Sequence, residues 1–192
     1  MKLAIFGYGG HAKEVASQID DSVVFYVDDK YSNEYAKPIS QFDPKKYKII
    51  VAVSNPKDRE RIVKSLPKET QFFSFIHPTS LIMSDNIEIG EGSFIGAYSI
   101  MTTNIKIGKH TILNRGNHIG HDCFIGDFFS MMPGSIVSGT VNVGDRVYMG
   151  TNSTIIENKF ISSDTTIGAN TVIIENINTG GTYVGVPGKK IK

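Results

Sequence analysis

The sequence predicts a Rossmann-like small parallel α/β sheet over residues 1–76. A parallel β-helix of hexapeptide repeats, closed by a C-terminal tail, follows over 77–192. Three observations carry this. Residues 1–76 alternate short β-branched runs with helical apolar stripes, the order of a parallel sheet with crossover helices. A glycine-rich turn, Gly7-Tyr8-Gly9-Gly10-His11-Ala12, ends the first run and opens the first stripe. From residue 83 onward an aliphatic residue recurs at every sixth position, a period that belongs to neither a helix nor a flat strand but to a β-solenoid.

Taken in order, Lys2–Phe6 is the first strand. His11 to Ile19 is a helix, with Ala12, Val15, Ala16 and Ile19 on one face at the i, i+3, i+4, i+7 spacing. Val23–Val27 is a second strand ending at Asp28-Asp29, and Tyr47–Val53 a third ending at Ser54-Asn55-Pro56. Pro56–Leu66 is a helix stopped by Pro67, because the residue before a proline is pushed out of the α region. Phe72–Ile76 reads as a fourth strand, closed by His77-Pro78.

The solenoid series runs Met83, Ile89, Ile95, Met101 and onward to Ile173, sixteen aliphatic positions in unbroken phase. Glycine follows at 90, 96, 108, 120, 126, 144, 150 and 168, and small or apolar residues such as Ser93, Thr111 and Cys123 stand two before. Three hexapeptides make one triangular coil, so each aliphatic side chain stacks on the one eighteen residues away. Cys123 reads as a core residue.

Composition bounds the function. The 192 residues carry 20 basic and 19 acidic side chains, net +1, so no nucleic-acid or anionic-membrane partner is called for electrostatically. One cysteine excludes an internal disulfide framework and a multi-cysteine zinc site and fits a reducing compartment. The apolar run before Gly7 is too short for a signal peptide, and no run approaches the ~18 apolar residues of a membrane span. The expected location is cytoplasmic.

Two motifs bear chemistry. In Asn114…His118-Ile119-Gly120-His121-Asp122, His121 lies two residues past the core position Ile119, where side chains point off the prism. An imidazole of ordinary pKa ~6.5 takes a proton near neutrality, and an adjacent carboxylate can fix its tautomer. His118 reads as structural or a rim contact, and His110 as a surface residue. The glycine turn, with Asp28 beyond it, has the parts of a dinucleotide fingerprint. A nicotinamide oxidoreductase is set aside because residues 1–76 hold only one mononucleotide half.

This combination resembles the bacterial sugar acetyltransferases of the bacillosamine and sialic-acid type, over nearly the whole chain. The resemblance implies a left-handed coil, which the period alone does not show. It also implies a homotrimer, acetyl-CoA between neighbouring prisms, and a nucleotide-linked amino sugar held partly by the N-terminal unit. By the same resemblance His121 is general base, Asp122 its orienting partner and the Gly139 N–H an oxyanion donor. Several relatives carry glutamate in place of Asp122. Asn114 looks like a substrate contact. Gly9, Gly10 and His11 would face the diphosphate, Asp28 and Asp29 the ribose or base, and Asn55 the same crevice. Gly185, Pro187 and Lys189 would run beside coenzyme A. No metal is implied. Phe128 and Phe129 are assigned to either the trimer interface or the N-terminal unit.

The leading expectation is therefore N-acetylation of the 4-amino group of a UDP-type amino-deoxy sugar by direct attack. Alternatives are O-acetylation of sialic acid or a polysaccharide, a zinc carbonic anhydrase using His110, His118 and His121, and a scaffold without catalysis. The amine is preferred because the N-terminal unit keeps a full glycine turn with paired aspartates.

Overall fold

A computed structural model describes residues 1–19 and 22–192. The N-terminal elements are β1 (Lys2–Phe6), α1 (Gly10–Ala16), β2 (Val23–Val27), β3 (Ala36–Pro38), β4 (Tyr47–Val51), α2 (Pro56–Ser65) and β5 (Gln71–Phe72). They form a five-stranded parallel sheet of order β3-β2-β1-β4-β5. The strand order reverses between β1 and β4, so the loops after these strands flank the crevice where such sheets bind ligands. Side chains alternate across the sheet. Ala4, Phe6, Ile49 and Val51 pack on Ile62 and Leu66 of the α2 region. Ile5 and Ile50 face Ala12 and Val15 of α1 together with Phe94 and Ile112 of the prism.

Local chemistry sets the helix ends. The Asn55 carboxamide oxygen accepts the N–H groups of Lys57 and Asp58 at 3.0 and 3.1 Å, with Pro56 at the first helical position, the standard start of a helix. At the end of α1 the N–H groups of Gln18 and Ile19 bond three residues back, a tightening that stops the helix short of the expected Ile19. β3 has no apolar run to mark it in the sequence. The run expected as one strand over 72–76 is two: Gln71–Phe72 joins the sheet, while Phe75–Ile76 pairs with Phe94–Ile95 in the prism.

The remainder is a left-handed parallel β-helix of three sheets built from very short strands. The first face runs from Leu81–Ile82 to Val172–Ile173, the second from Ile87–Ile89 to Phe160–Ile161, and the third from Phe75–Ile76 to Lys189–Lys190. Ile119 pairs with Val137 and Ile125 with Val143, eighteen residues on, as the period requires. The aliphatic series from Ile95 to Ile173 is buried along the axis. Met83 does not belong to it. Ile82 pairs with Met101, whereas Ile89 pairs with Ile107, so the first coil is one residue longer and Met83 is 60% exposed.

Each corner holds a left-handed residue. From Gly92 to Asn170 every sixth residue has φ between 53° and 71°. Glycine, asparagine and aspartate fill most of these positions, as expected of residues that tolerate this region.

Arg59 locks the two units together. It is fully buried, and its guanidinium donates to the carbonyls of His110, Val53, Ser54, Phe128 and Phe129 at 2.6–3.3 Å. Burial pulls its pKa down to about 9. His110, expected on the surface, is buried between Phe72 and Phe128, at ring separations of 4.6 and 5.2 Å. Phe72 covers it from the other unit, which is why the corner position alone misled. Phe128 belongs to this seam, and Phe129 to the prism core.

Candidate active site

His121 sits at the corner between the first and second faces, with its side chain 59% exposed. Its Nδ1 lies 2.7 Å from Oδ2 of Asp122. A carboxylate can only accept, so Nδ1 carries the proton and Nε2 is left as the base. The shorter aspartate arm does reach the imidazole. Asp122 is itself a left-handed corner residue, φ 58°, which turns its side chain back along its own coil. The Asn104 amide, one coil below, donates to the other oxygen, Oδ1. This donor, followed by His121, holds the Asp122 carboxyl below the usual carboxylate range.

Gly139 stands one coil above His121. A Cβ there would lie 2.5 Å from Nε2 and 2.6 Å from Cε1, so only glycine lets the ring keep its place. The same column leaves backbone donors open. At the next corner, the N–H groups of Lys109, Asp127 and Asp145 are each capped by the residue above: Asp127 Oδ1, Asp145 Oδ1 and Ser163 Oγ, at 2.7–2.9 Å. Above His121, Gly139 has no side chain to cap the His121 N–H, and above Gly139 the Glu157 side chain makes no such bond among the described residues. The Gly139 N–H has no hydrogen-bond partner among the described residues. A groove of about 330 Å³ runs from Asp122 and Cys123 past Asn104, Lys106 and Asn86. Cys123 is buried, as expected, and burial raises its thiol pKa.

The glycine turn forms a second centre. Gly7 needs to be glycine: its φ is +118°, and a Cβ would stand 3.2 Å from the Ala52 carbonyl. At Gly9 and Gly10 a Cβ would meet nothing within 4 Å, so packing does not demand glycine there, whereas close approach of a ligand would. Beside them lies a pocket of about 350 Å³ walled by Tyr8, Gly9, Asp28 and Tyr31. Asp28 faces it and lies 3.8 Å from Arg61. Asp29 is used differently. Its carboxylate accepts the Ser40 N–H at 3.0 Å, which braces the loop and holds its pKa down.

Other expected residues lie apart. His11 packs edge-on against Phe94, with Nδ1 3.7 Å from Glu14, and burial lowers its pKa. Its ring nitrogens have no hydrogen-bond partner among the described residues. Asn114 is buried at a different corner from His121, between the third and first faces, and its Oδ1 accepts the Arg115 N–H at 2.8 Å. With Glu14, His77 and Arg115 it lines a pocket of about 310 Å³. Asn55 caps α2 and borders a separate pocket of about 410 Å³ with Arg146 and Tyr148. Gly185, Pro187 and Lys189 lie in the terminal hairpin of Gly181–Val184 and Lys189–Lys190.

One chain thus unites His121, Asp122 and Gly139, and separately Gly9 and Asp28. Asn104 was missed by sequence reasoning, and its signal is the eighteen-residue step to Asp122. His118 is exposed on the first face while His110 is buried, so the three histidines of the carbonic anhydrase alternative do not converge. Among the described residues no group of three or more His, Cys, Asp or Glu side chains is placed to hold a metal. Nor is any helix long and apolar enough to cross a membrane.

Residues 2–66 match the family described as the PglD N-terminal domain. No curated protein matches the chain in sequence. Among solved structures, WeeI from Acinetobacter baumannii AYE is 28% identical over 99% of each chain, with a TM-score of 0.89. The acetyltransferase domain of PglB from Neisseria gonorrhoeae FA1090, in complex with acetyl coenzyme A, is 25% identical over 99% of this chain and 98% of that one, TM-score 0.69. A variant of perosamine N-acetyltransferase from Caulobacter crescentus, in complex with CoA and GDP-perosamine, is 24% identical over 100% of this chain and 97% of that one, TM-score 0.89. The resemblance stated from the sequence and the left-handed β-helix are both borne out.

Proposed function

With a PglD-type N-terminal unit and a hexapeptide prism as premises, we propose that this protein moves the acetyl group of acetyl-CoA onto the 4-amino group of a UDP-type amino-deoxy sugar. The observation that carries this is the His121–Asp122 pair beneath Gly139, a base and an uncapped backbone donor within one column. Support for the donor substrate comes from the PglB domain, which binds acetyl coenzyme A.

In this reading the sugar amine attacks the thioester carbonyl while Nε2 of His121 receives the proton it sheds. The Gly139 N–H donates to the oxyanion without reorganisation. The carbon–sulfur bond then breaks, and the imidazolium returns the proton to the departing thiolate. Asp122 holds the tautomer and stabilises the imidazolium.

The diphosphate lies against Gly9 and Gly10, with Asp28 at the ribose or base. Asn114 and His11 stand near one corner of the prism and His121 at another, so a neighbouring protomer is what brings them to one sugar. A homotrimer supplies that neighbour. Exposed apolar side chains flank the His121 corner on both faces, Ile136 on the first and Phe124 and Phe160 on the second, consistent with cover by another prism. In this reading the coenzyme A phosphates run beside Lys189 and the terminal hairpin.

The test is free-thiol release from acetyl-CoA with UDP- and GDP-linked 4-amino-4,6-dideoxy sugars, and free sialic acid as the hydroxyl acceptor. Turnover on an amino sugar that His121→Ala lowers by about 10²–10⁴-fold is the expected result. Unchanged turnover in that variant removes His121 as base, and turnover on sialic acid alone moves the chemistry to a hydroxyl.

A further inference from the structure

We propose that Asn104 is a positioning residue for the His121–Asp122 pair, acting from the coil below. This rests on the acetyl-transfer reading above.

Asp122 has two carboxylate oxygens and one short arm. Oδ2 faces His121 at 2.7 Å and Oδ1 takes the Asn104 amide. The backbone of the same residue is tied down as well, its N–H bonded to the Thr103 carbonyl at 3.1 Å. Residues 103 and 104 therefore fix both the main chain and the carboxylate plane of Asp122. A carboxylate held by one hydrogen bond can rotate about its terminal bond; held by two, it cannot without breaking one.

The chemistry of the clamp matters. An ionised carboxylate only accepts, so the amide must present its NH₂ group and not its carbonyl. That donor is neutral and has no proton to exchange in the working pH range. It favours the ionised carboxylate, and so keeps the shared proton on Nδ1 of His121. A lysine would compete for the carboxylate with a full charge, and an aspartate would repel it.

Asparagine also suits a left-handed corner, and Asn104 has φ 53°, so a backbone cause alone would account for the residue type. Asn152, Asn158 and Asn170 fill equivalent corners. Their side chains donate to no stacked carboxylate among the described residues. The other corner residue that bonds a carboxylate one coil above, Arg146 with Asp164, does so as a charged pair, whereas Asn104 is the neutral donor and stands in the coil under His121.

Two measurements on the full chain test this. Nitrogen-15 histidine NMR without substrate reads the His121 tautomer, with His121→Ala giving the assignment. The expected result is a single Nδ1-protonated form in wild type and a mixture in Asn104→Ala. Steady-state kinetics should show kcat falling about tenfold in Asn104→Ala, the size typical when an outer partner of an imidazole is removed, with KM for both substrates within about twofold. In an Asp122→Asn background Asn104→Ala should cost nothing more, because it acts through the carboxylate. An unchanged tautomer in Asn104→Ala overturns the proposal, as does an equal loss of kcat in both backgrounds. Absence of wild-type turnover would sink the acetyl-transfer reading alone, since the NMR result decides the positioning role without substrate.

Discussion

Gly139 is the roof over His121: a single methyl group on it would stand 2.5 Å from the nitrogen assigned as the base. The obstructing atoms belong to an exposed imidazole, not to backbone, so the clash can be relieved by swinging the ring away. Gly139→Ala should therefore leave the melting temperature within a few degrees of wild type while lowering kcat by about 10²-fold or more. Calorimetry beside a thiol-release assay separates the two, and a large loss of stability with intact turnover would refute the placement.

At Gly9 the opposite dissociation is expected. A Cβ there meets nothing within 4 Å, so Gly9→Ala should change stability by less than about 0.5 kcal/mol. If phosphates rest on this turn, KM for the nucleotide sugar should rise while KM for acetyl-CoA stays put. Equal KM values for both substrates in variant and wild type would remove the turn from the binding site.

His110 makes stability depend on pH. Burial lowers its pKa to about 4, against ~6.5 in an unfolded chain. Between these values the unfolded state binds the proton and the folded state does not. Stability is therefore fully present above about pH 6.5 and is lost as the pH falls towards 4, by an amount on the order of 3 kcal/mol. Thermal melts from pH 7 to 4 should show this slope in wild type and a shallower one in His110→Phe, whose ring can lie between Phe72 and Phe128.

Arg59 satisfies five carbonyl oxygens at the seam between the two units. Arg59→Ala leaves the carbonyls of His110, Val53 and Phe128 without a donor, while Ser54 and Phe129 keep the Ser130 hydroxyl and the Ile112 N–H, and should cost about 3 kcal/mol or more. Denaturant unfolding should also lose its single transition, with the sheet melting ahead of the prism. A loss below about 1 kcal/mol would mean that apolar packing at Phe94 and Ile112 alone holds the units together.

Ile119→Ala opens a cavity on the solenoid axis directly below Val137 and should cost about 2–5 kcal/mol, readable from the same denaturant curves.

Much of this molecule was legible in its sequence, for reasons particular to each part. The axis from Ile95 to Ile173 was plain because every sixth position is aliphatic and the phase never slips there. The strands Lys2–Phe6 and Val23–Val27 were plain because β-branched and apolar runs end at glycine or aspartate. Met83 was misassigned because an extra residue between Ile82 and Ile89 leaves another aliphatic side chain in the apparent phase. The left-handed corners repeat just as regularly but went unread, since Tyr98, His110, Phe128, Thr140 and Arg146 stand among them and none of these favours that region. Asn104 and the Arg59 seam depend largely on contacts between residues eighteen or more positions apart, for which a single sequence has no local mark. His121 and Asp122 were found because they are neighbours in the chain, and Gly139 because the family resemblance pointed to it.

The column of Asn104, Asp122 with His121, and Gly139 gives the gene a rule about length. Each member reaches the next across one full turn of the prism, so its alignment survives changes that come in whole turns, whereas a single residue has to be taken up at a corner, as the extra one between Ile82 and Ile89 is. Deleting one codon within a strand between residues 105 and 138 would carry a partner round the axis towards another face, breaking the column though every residue in it remained. A duplicated turn added at Val143 or later would leave the column untouched and merely lift the terminal hairpin by about 4.8 Å.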